Sequence, residues 1–194
     1  MAHLTFVYGT VNSGKSMELL RIHHNYEQLG REVVLFTPET DTRSDQAEVW
    51  SRAGMSAPAT SFSPNDDFRK FIGKDSLVEA VLVDEAQFLT KEQVIQLGQL
   101  VDNHDIDVMA FGLKNDSNNN LFPGSEALVI YADRLEEVRT LSTFGKGKAV
   151  MNLKMVDNMP SFNNPQIEIE GKGETTYVPI SRKEYTSFQK LAQD

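Results

Sequence analysis

The sequence has 194 residues, of which 40% are hydrophobic, a formal net charge of −9 and no cysteine. This composition supplies a sizeable core, excludes disulfides, thiol catalysis and a cysteine zinc site, and argues against a nucleic-acid partner, whose phosphates need clustered Lys and Arg. The sequence contains no run of about 18 apolar residues, the length that a membrane-spanning helix needs. The chain also opens into a strand-like segment without a signal peptide, so we expect a soluble, cytoplasmic protein without a membrane partner.

Short apolar runs alternate with helical patterns through residues 4–113. Residues 4–8 predict a buried strand, and apolar residues then recur at helical spacing up to Gly30, the expected C-cap. The later elements are strands over residues 33–36, 78–83 and 108–113 and a helix from residue 91 to about residue 101. This alternation predicts βαβ units, and therefore an α/β fold with a parallel sheet flanked by helices.

Two regions depart from this alternation. Residues 39–77 are polar and lack a periodic pattern, so we expect irregular structure there. The sequence pattern changes again from Ser142 onward. The expected elements of this tail are extended segments at 149–153, 166–170 and 175–180, polar loops at 157–165 and 171–173, and a helix at 181–192. The sequence therefore predicts an α/β domain over residues 1–141 and a small β-ribbon subdomain with a last helix over residues 142–194.

A phosphate-binding motif lies between the first strand and the first helix. Its pattern, G-x-x-x-x-G-K-[ST], is typical of P-loop nucleotide-binding proteins. The motif residues are Gly9, Thr10, Val11, Asn12, Ser13, Gly14, Lys15 and Ser16. Backbone N–H groups of such a loop surround phosphate oxygens, the lysine reaches the β- and γ-phosphates, and the serine ligates Mg²⁺. A chance match in a turn is the alternative, but the strand before and the helix after favour an ATP site.

Two adjacent carboxylates, Asp84 and Glu85, follow the apolar run at residues 78–83. The carboxyl ends of parallel strands are where α/β sheets bind ligands, and P-loop enzymes hold Mg²⁺ with an acidic residue. We therefore assign Asp84, together with Ser16, to Mg²⁺. Glu85 would face the phosphate acceptor and could accept a hydroxyl proton. An ordinary solvated strand end is the alternative.

Arg43 follows the second strand in the sequence Asp41-Thr42-Arg43. A guanidinium at that edge of the sheet could stabilise charge on a phosphoryl group during transfer. Taken alone, an arginine in such a loop is more often part of a surface salt bridge.

Together these motifs resemble the type II thymidine kinase family, especially its bacterial and bacteriophage members. The matching segments, in order over nearly the whole chain, are residues 9–20, 41–43, 84–88 and 111–124, Tyr177 and residues 181–185. Many families share the P-loop, but Asp-Glu-x-Gln-Phe together with Asp-Thr-Arg is specific.

The resemblance implies transfer of the ATP γ-phosphate to the 5′-hydroxyl of thymidine or deoxyuridine. It makes Glu85 the general base, and it makes Arg43 an aid to the transfer. It places Phe88 and Phe122 around the nucleoside and Tyr177 in a lasso loop that closes over the base. The P-loop, including Lys15 and Ser16, would serve ATP and Mg²⁺ together with Asp84 and Gln87. A homotetramer is also implied.

The chain departs from the family pattern in two places. The family usually carries zinc in the tail, at positions corresponding here to Ser142 or Thr143, Gly145, Ser181 and Glu184. These residues do not form a soft ligand set, so we expect a tail that folds without zinc. Ser117 stands where the family usually has phenylalanine. Either the nucleoside pocket lacks a ring there, or Ser117 points to solvent and Phe88 or Phe122 fills the space.

Two other functions stay open at this point. The segment from Asp84 to Gln87 also resembles the second motif of helicases and ATPases. A helicase needs two such domains and a basic strand-binding channel, which this acidic chain does not offer. The departures in the tail and at Ser117 would also suit a non-catalytic nucleotide-binding relative, although a scaffold needs neither Lys15 nor Glu85.

Overall fold

The computed structural model describes residues 1–40, 47–72, 77–162 and 175–192. Helices and strands alternate through the first part, and strands dominate the tail. The strands are β1 (Leu4–Gly9), β2 (Glu32–Pro38), β3 (Glu48–Trp50), β4 (Ser56–Pro58), β5 (Thr60–Phe62), β6 (Val78–Val83), β7 (Asp107–Leu113), β8 (Arg134–Glu137), β9 (Met151–Val156), β10 (Met159–Ser161) and β11 (Thr175–Ile180). The helices are α1 (Lys15–Gln28), α2 (Phe68–Phe71), α3 (Lys91–His104), α4 (Pro123–Tyr131) and α5 (Arg182–Leu191), with a 3₁₀ turn at Ala86–Phe88.

A six-stranded parallel sheet in the order β5-β2-β6-β7-β1-β8 forms the centre of the fold. Its inner strands read as continuous apolar runs because helices or other elements cover both faces of the sheet. Gly9 of β1 pairs with Leu113 of β7, and Ala110 of β7 pairs with Val83 of β6. The carboxyl ends of these three strands therefore lie side by side. The α/β fold predicted from the sequence is confirmed.

Two buried clusters hold the layers together, one on each face of the sheet. On one face Leu19 and Leu20 of α1 pack with Val49 of β3. On the other face α2, α3 and α4 cover the sheet, for example through Leu97 and Leu128. Among the described residues no helix combines the length and the apolar character that crossing a membrane requires.

The tail forms a separate antiparallel sheet in the order β10-β9-β11. Helix α5 follows directly and packs Tyr185 against Leu153 and Ile180. The expected β-ribbon is thus present, its strands are antiparallel, and β11 begins and ends where the sequence predicts. The expected extended segment at 166–170 lies outside the described residues, and the domain division at 141/142 stays a prediction.

Two sequence expectations are wrong. Residues 39–77 are not irregular throughout, because β3, β4, β5 and α2 lie among their described residues. The expected polar loop at 157–165 contains β10. Each of these strands has three residues, which is too short for hydrophobic periodicity to register. Strand pairing, rather than the local pattern, fixes them: β5 pairs with β2, β10 pairs with β9, and β3 and β4 pair with each other.

Candidate active site

The P-loop connects β1 to α1 through two glycines that the local backbone requires. A Cβ at Gly9 would lie 2.5 Å from Ser13 Oγ and 2.8 Å from Val138 O. Gly14 has a φ of +91°, in the left-handed region that favours glycine. It is also the N-cap of α1 and brings no side-chain cap, so the first N–H groups of this helix are left for a ligand.

Lys15 points its ammonium group back over the loop. Its Nζ donates to Thr10 O at 2.8 Å. Burial lowers the pKa of the Lys15 ammonium, and the carboxylates of Glu85 and Asp84 partly oppose that shift. A phosphate group would oppose the shift further, because it would place more negative charge beside the ammonium.

Asp84 comes directly after β6 and is only 2% exposed. Ser16 Oγ donates to Asp84, at 3.1 Å from Oδ2 and 3.4 Å from Oδ1. A hydroxyl and a carboxylate side by side are hard oxygen donors of the kind that Mg²⁺ takes together with phosphate oxygens. These two residues therefore fit the predicted Mg²⁺ site.

Glu85 has a φ of +48°, which is unusual for a residue with a side chain. A buried glutamine fixes its carboxylate, because Gln87 Nε2 donates to Glu85 Oε2 at 2.6 Å. Gln87 Oε1 accepts from Leu113 N at 3.0 Å, which ties the pair to the end of β7. Gly112 makes this approach possible, since a Cβ there would lie 2.8 Å from Gln87 Oε1. The structure thus gives Gln87 a positioning contact to Glu85, and its expected contact with ATP stays a prediction.

A cavity of about 300 Å³ opens at this edge of the sheet. Its walls contain the P-loop from Val11 to Ser16, Glu85 and Leu113. The other wall is residues 50–53, from the hairpin formed by β3 and β4. The structure therefore brings the phosphate loop and the candidate base to one space.

Phe88, three residues after Glu85, pairs with Phe122 as the sequence analysis expected. The rings of Phe88 and Phe122 meet edge to face, with centroids 6.1 Å apart. Gly124 allows α4 to approach the 3₁₀ turn, because a Cβ there would lie 2.5 Å from Ala86 O. Tyr177 lies on β11, 38% exposed, and its place in the nucleoside site stays a prediction. Arg43, with Asp41 and Thr42, lies outside the described residues, and its catalytic role also stays a prediction.

Asn152 of β9 is a residue that the sequence analysis missed. It is 2% exposed, and its Oδ1 accepts from Val11 N in the P-loop at 2.8 Å. Its Nδ2 donates to Asn115 O at 2.8 Å. One side chain of the tail therefore ties the P-loop to the chain segment after β7. No local pattern marks Asn152, because its partners lie 141 and 37 residues away.

Comparison with known proteins agrees with this geometry. The sequence profile of the family described as "Thymidine kinase" matches residues 2–185. The chain belongs to the thymidine kinase family. Thymidine kinases of Streptococcus pyogenes serotype M3 and Streptococcus agalactiae serotype Ia are each 43% identical to it over 186 residues. The matched segment covers 95% of this chain and 97% of each relative.

The first departure from the thymidine kinase pattern lies in the segment after β7. Ser117 is 6% exposed, so the alternative that it points to solvent is wrong. Asp116 Oδ1 accepts from Asn118 N and Asn120 N, both at 2.9 Å, which closes a tight turn. Tyr185 of α5 donates its hydroxyl to Ser117 O at 2.8 Å. Whether Ser117 borders the nucleoside stays a prediction.

The second departure is the tail cluster, which we define as Ser142, Gly145, Ser181 and Glu184. Both serine hydroxyls and Ser181 N donate to the same oxygen, Glu184 Oε2. A Cβ at Gly145 would overlap Glu184 Oε1, so this carboxylate fills the space that a longer ligand at position 145 would need. The Ser142 hydroxyl, followed by that of Ser181, holds the pKa of the Glu184 carboxyl below its ordinary value.

This donor set does not fit the zinc that thymidine kinases of this type usually carry. Structural zinc takes four ligands, mostly thiolates and imidazoles, and the cluster offers one carboxylate and two hydroxyls. Within the described ranges no group of three or more His, Cys, Asp or Glu could hold a metal ion. Hydrogen bonds centred on Glu184 occupy the position instead.

Proposed function

We propose that this protein is a thymidine kinase that transfers the γ-phosphate of ATP to the 5′-hydroxyl of thymidine or deoxyuridine. The observation that carries the proposal is the shared cavity, in which the P-loop and Glu85 face one space. Membership of the thymidine kinase family supports the same activity.

The residues divide the reaction between them. The P-loop N–H groups and Lys15 bind the phosphate chain and neutralise charge that develops on it. Ser16 and Asp84 would hold Mg²⁺, which supplies charge neutralisation at the β- and γ-phosphates. Glu85, held by Gln87, accepts the proton of the 5′-hydroxyl as its oxygen attacks phosphorus and the bond to the ADP oxygen breaks. Arg43 would stabilise the phosphoryl group during transfer.

A direct assay tests the proposal. The purified chain is incubated with Mg-ATP and a panel of deoxynucleosides, and the products are identified by mass spectrometry. We expect the 5′-monophosphates of thymidine and deoxyuridine together with one ADP for each. ATP hydrolysis that needs nucleic acid and not a nucleoside would instead support an ATPase or helicase. Nucleotide binding without any product would support a non-catalytic relative.

The assembly and the location of the protein are further proposals. A homotetramer is expected from the family resemblance, and light scattering coupled to size-exclusion chromatography measures it. Cell fractionation tests the expected cytoplasmic location.

A further inference from the structure

One wall of the cavity is not explained by the phosphoryl-transfer residues. Residues 50–53 form this wall, which we call the hairpin wall. Met17, at the start of α1, borders the same space. Glu85 and Leu113 border it as well, whereas the Phe88–Phe122 pair is not among its lining residues. The cavity therefore extends on the P-loop side of Glu85, where a phosphate donor would bind.

The hairpin that carries this wall has a closed turn. Ser51 N donates to Met55 O at 2.8 Å, and Gly54 N donates to Ser51 O at 2.9 Å. Ser51 Oγ also accepts from Met55 N at 3.3 Å. Gly54 has a φ of +85°, a backbone conformation that would be strained for a residue with a side chain. The turn conformation is thus set by its own hydrogen bonds, and it fixes the residues beside it.

Trp50 is the last residue of β3 and pairs with Ser56 across the hairpin. Its neighbour Val49 is fully buried in the core that contains α1. Because successive side chains of a strand point to opposite faces, Trp50 points away from that core. Trp50 is 41% exposed, and Met17 is 48% exposed. Two large apolar side chains therefore border a polar phosphate site.

We propose that the indole of Trp50 is the platform on which the base of the phosphate donor stacks. The inference rests on the proposed function, because it takes the donor to be a nucleoside triphosphate. Stacking on an aromatic face suits any base, since every base has a π-face. A purine covers more of an indole than a pyrimidine does. Trp50 therefore makes this enzyme favour purine nucleotides as donors.

The tryptophan reports on its own occupancy, because it is the only one in the sequence. The full chain is titrated with ADP, tripolyphosphate or thymidine in the presence of Mg²⁺, and indole emission is recorded. We expect ADP to quench and shift the emission, and tripolyphosphate to displace ADP and reverse that change. Emission that responds to thymidine and not to ADP would overturn the assignment to the donor.

Variants test the same contact by calorimetry. We expect Trp50→Ala to weaken ADP binding by about 5- to 150-fold, the range found for base–aromatic stacking, and CDP binding by less. The Kd of tripolyphosphate should not change, and Trp50→Phe should restore most of the affinity for ADP. Met55→Ala is the matched control, since Met55 lies in the same hairpin, is also 41% exposed and does not line the cavity.

Two results would overturn the inference. One is an unchanged ADP affinity in Trp50→Ala. The other is an equal loss for ADP and tripolyphosphate, which would mean that Trp50 supports the phosphate site and does not contact the base. If either result comes with normal thymidine phosphorylation by the wild type, only the stacking inference fails. Failure of the wild type to bind ADP at all would remove the proposed function together with it.

Discussion

The P-loop edge of the sheet and the tail cluster fix polar groups in opposite ways. At the sheet edge the backbone positions the polar groups, through glycines at positions 9 and 14 and through the adjacent ends of β1, β7 and β6. In the tail cluster the Glu184 side chain positions the polar groups, because three donors converge on its Oε2. A site set by backbone conformation leaves a spacing in the sequence, and a site set by side-chain pairing does not.

The two regions are also joined, and by a side chain. Asn152 of the tail sheet accepts from the P-loop and donates to the chain after β7. Tyr185 adds a second contact through Ser117 O. The tail is therefore not only an appendage, since it contacts the P-loop and the chain segment after β7. The variants below alter first the sheet edge, then the Asn152 contact between the two regions, which we call the joint, and then the tail cluster.

The largest effect is expected at the sheet edge. Glu85→Gln keeps the shape of the side chain but removes the proton acceptor, so kcat should fall by about 100-fold or more. The Kd for ADP, measured by calorimetry, should stay within a few-fold of the wild type because the P-loop is unchanged. Glu136→Gln, at an exposed position of β8, is the matched control. Near-normal turnover of Glu85→Gln would remove Glu85 from the role of base.

The same contrast explains how much the sequence could predict. The P-loop, Asp84 and Glu85 were predicted because a motif and a strand end mark them. Gln87 was noticed as a motif member, but its hold on Glu85 depends on Leu113 N, which lies 26 residues away. Asn152 and the hairpin wall were missed altogether. Their positions follow from tertiary pairing, which periodicity cannot register.

The joint between the regions should show an intermediate effect. Asn152→Ala leaves the partly buried Val11 N–H and the buried Asn115 C=O without this partner, and an unsatisfied buried group costs about 1–3 kcal/mol. We expect Tm to fall and the Kd for tripolyphosphate to rise, because the P-loop loses its support. Asn152→Asp keeps the acceptor for Val11 N and loses the donor to Asn115. If neither substitution changed Tm or phosphate affinity, the tail would be independent of the P-loop.

Glu184 gives a smaller effect that depends on pH. Glu184→Gln preserves a capping-box residue for α5 but removes the negative charge that the two serines solvate. Because folding lowers the pKa of Glu184 below its ordinary 4.5, its charge stabilises the fold above that pH, and this contribution is lost as the pH falls through the lowered pKa. The wild type should therefore exceed the variant in Tm at pH 7, by at most a few degrees, because solvent screens the charge of a carboxylate that is only partly buried.

The comparison between the two proteins should then be repeated by calorimetry at lower pH. The difference in Tm is expected to shrink as the pH falls below 4.5 and to disappear below the lowered pKa, where the carboxyl of the folded wild type is neutral as well. A difference that persists unchanged at acid pH would mean that shape, and not charge, distinguishes the two side chains.

Removal of metal is expected to have no effect on the stability of the protein. Structural zinc supplies folding free energy directly, so chelators unfold domains that depend on it. In this chain the Glu184 carboxylate fills the space beside Gly145, and Tyr185 packs on Leu153 and Ile180. We therefore expect the same melting curve with and without EDTA, measured without nucleotide so that Mg²⁺ plays no part. Elemental analysis of the purified protein should find zinc far below one per chain. Stoichiometric zinc, or a Tm lowered by EDTA, would show that residues other than the tail cluster bind a metal and that hydrogen bonds alone do not hold the tail.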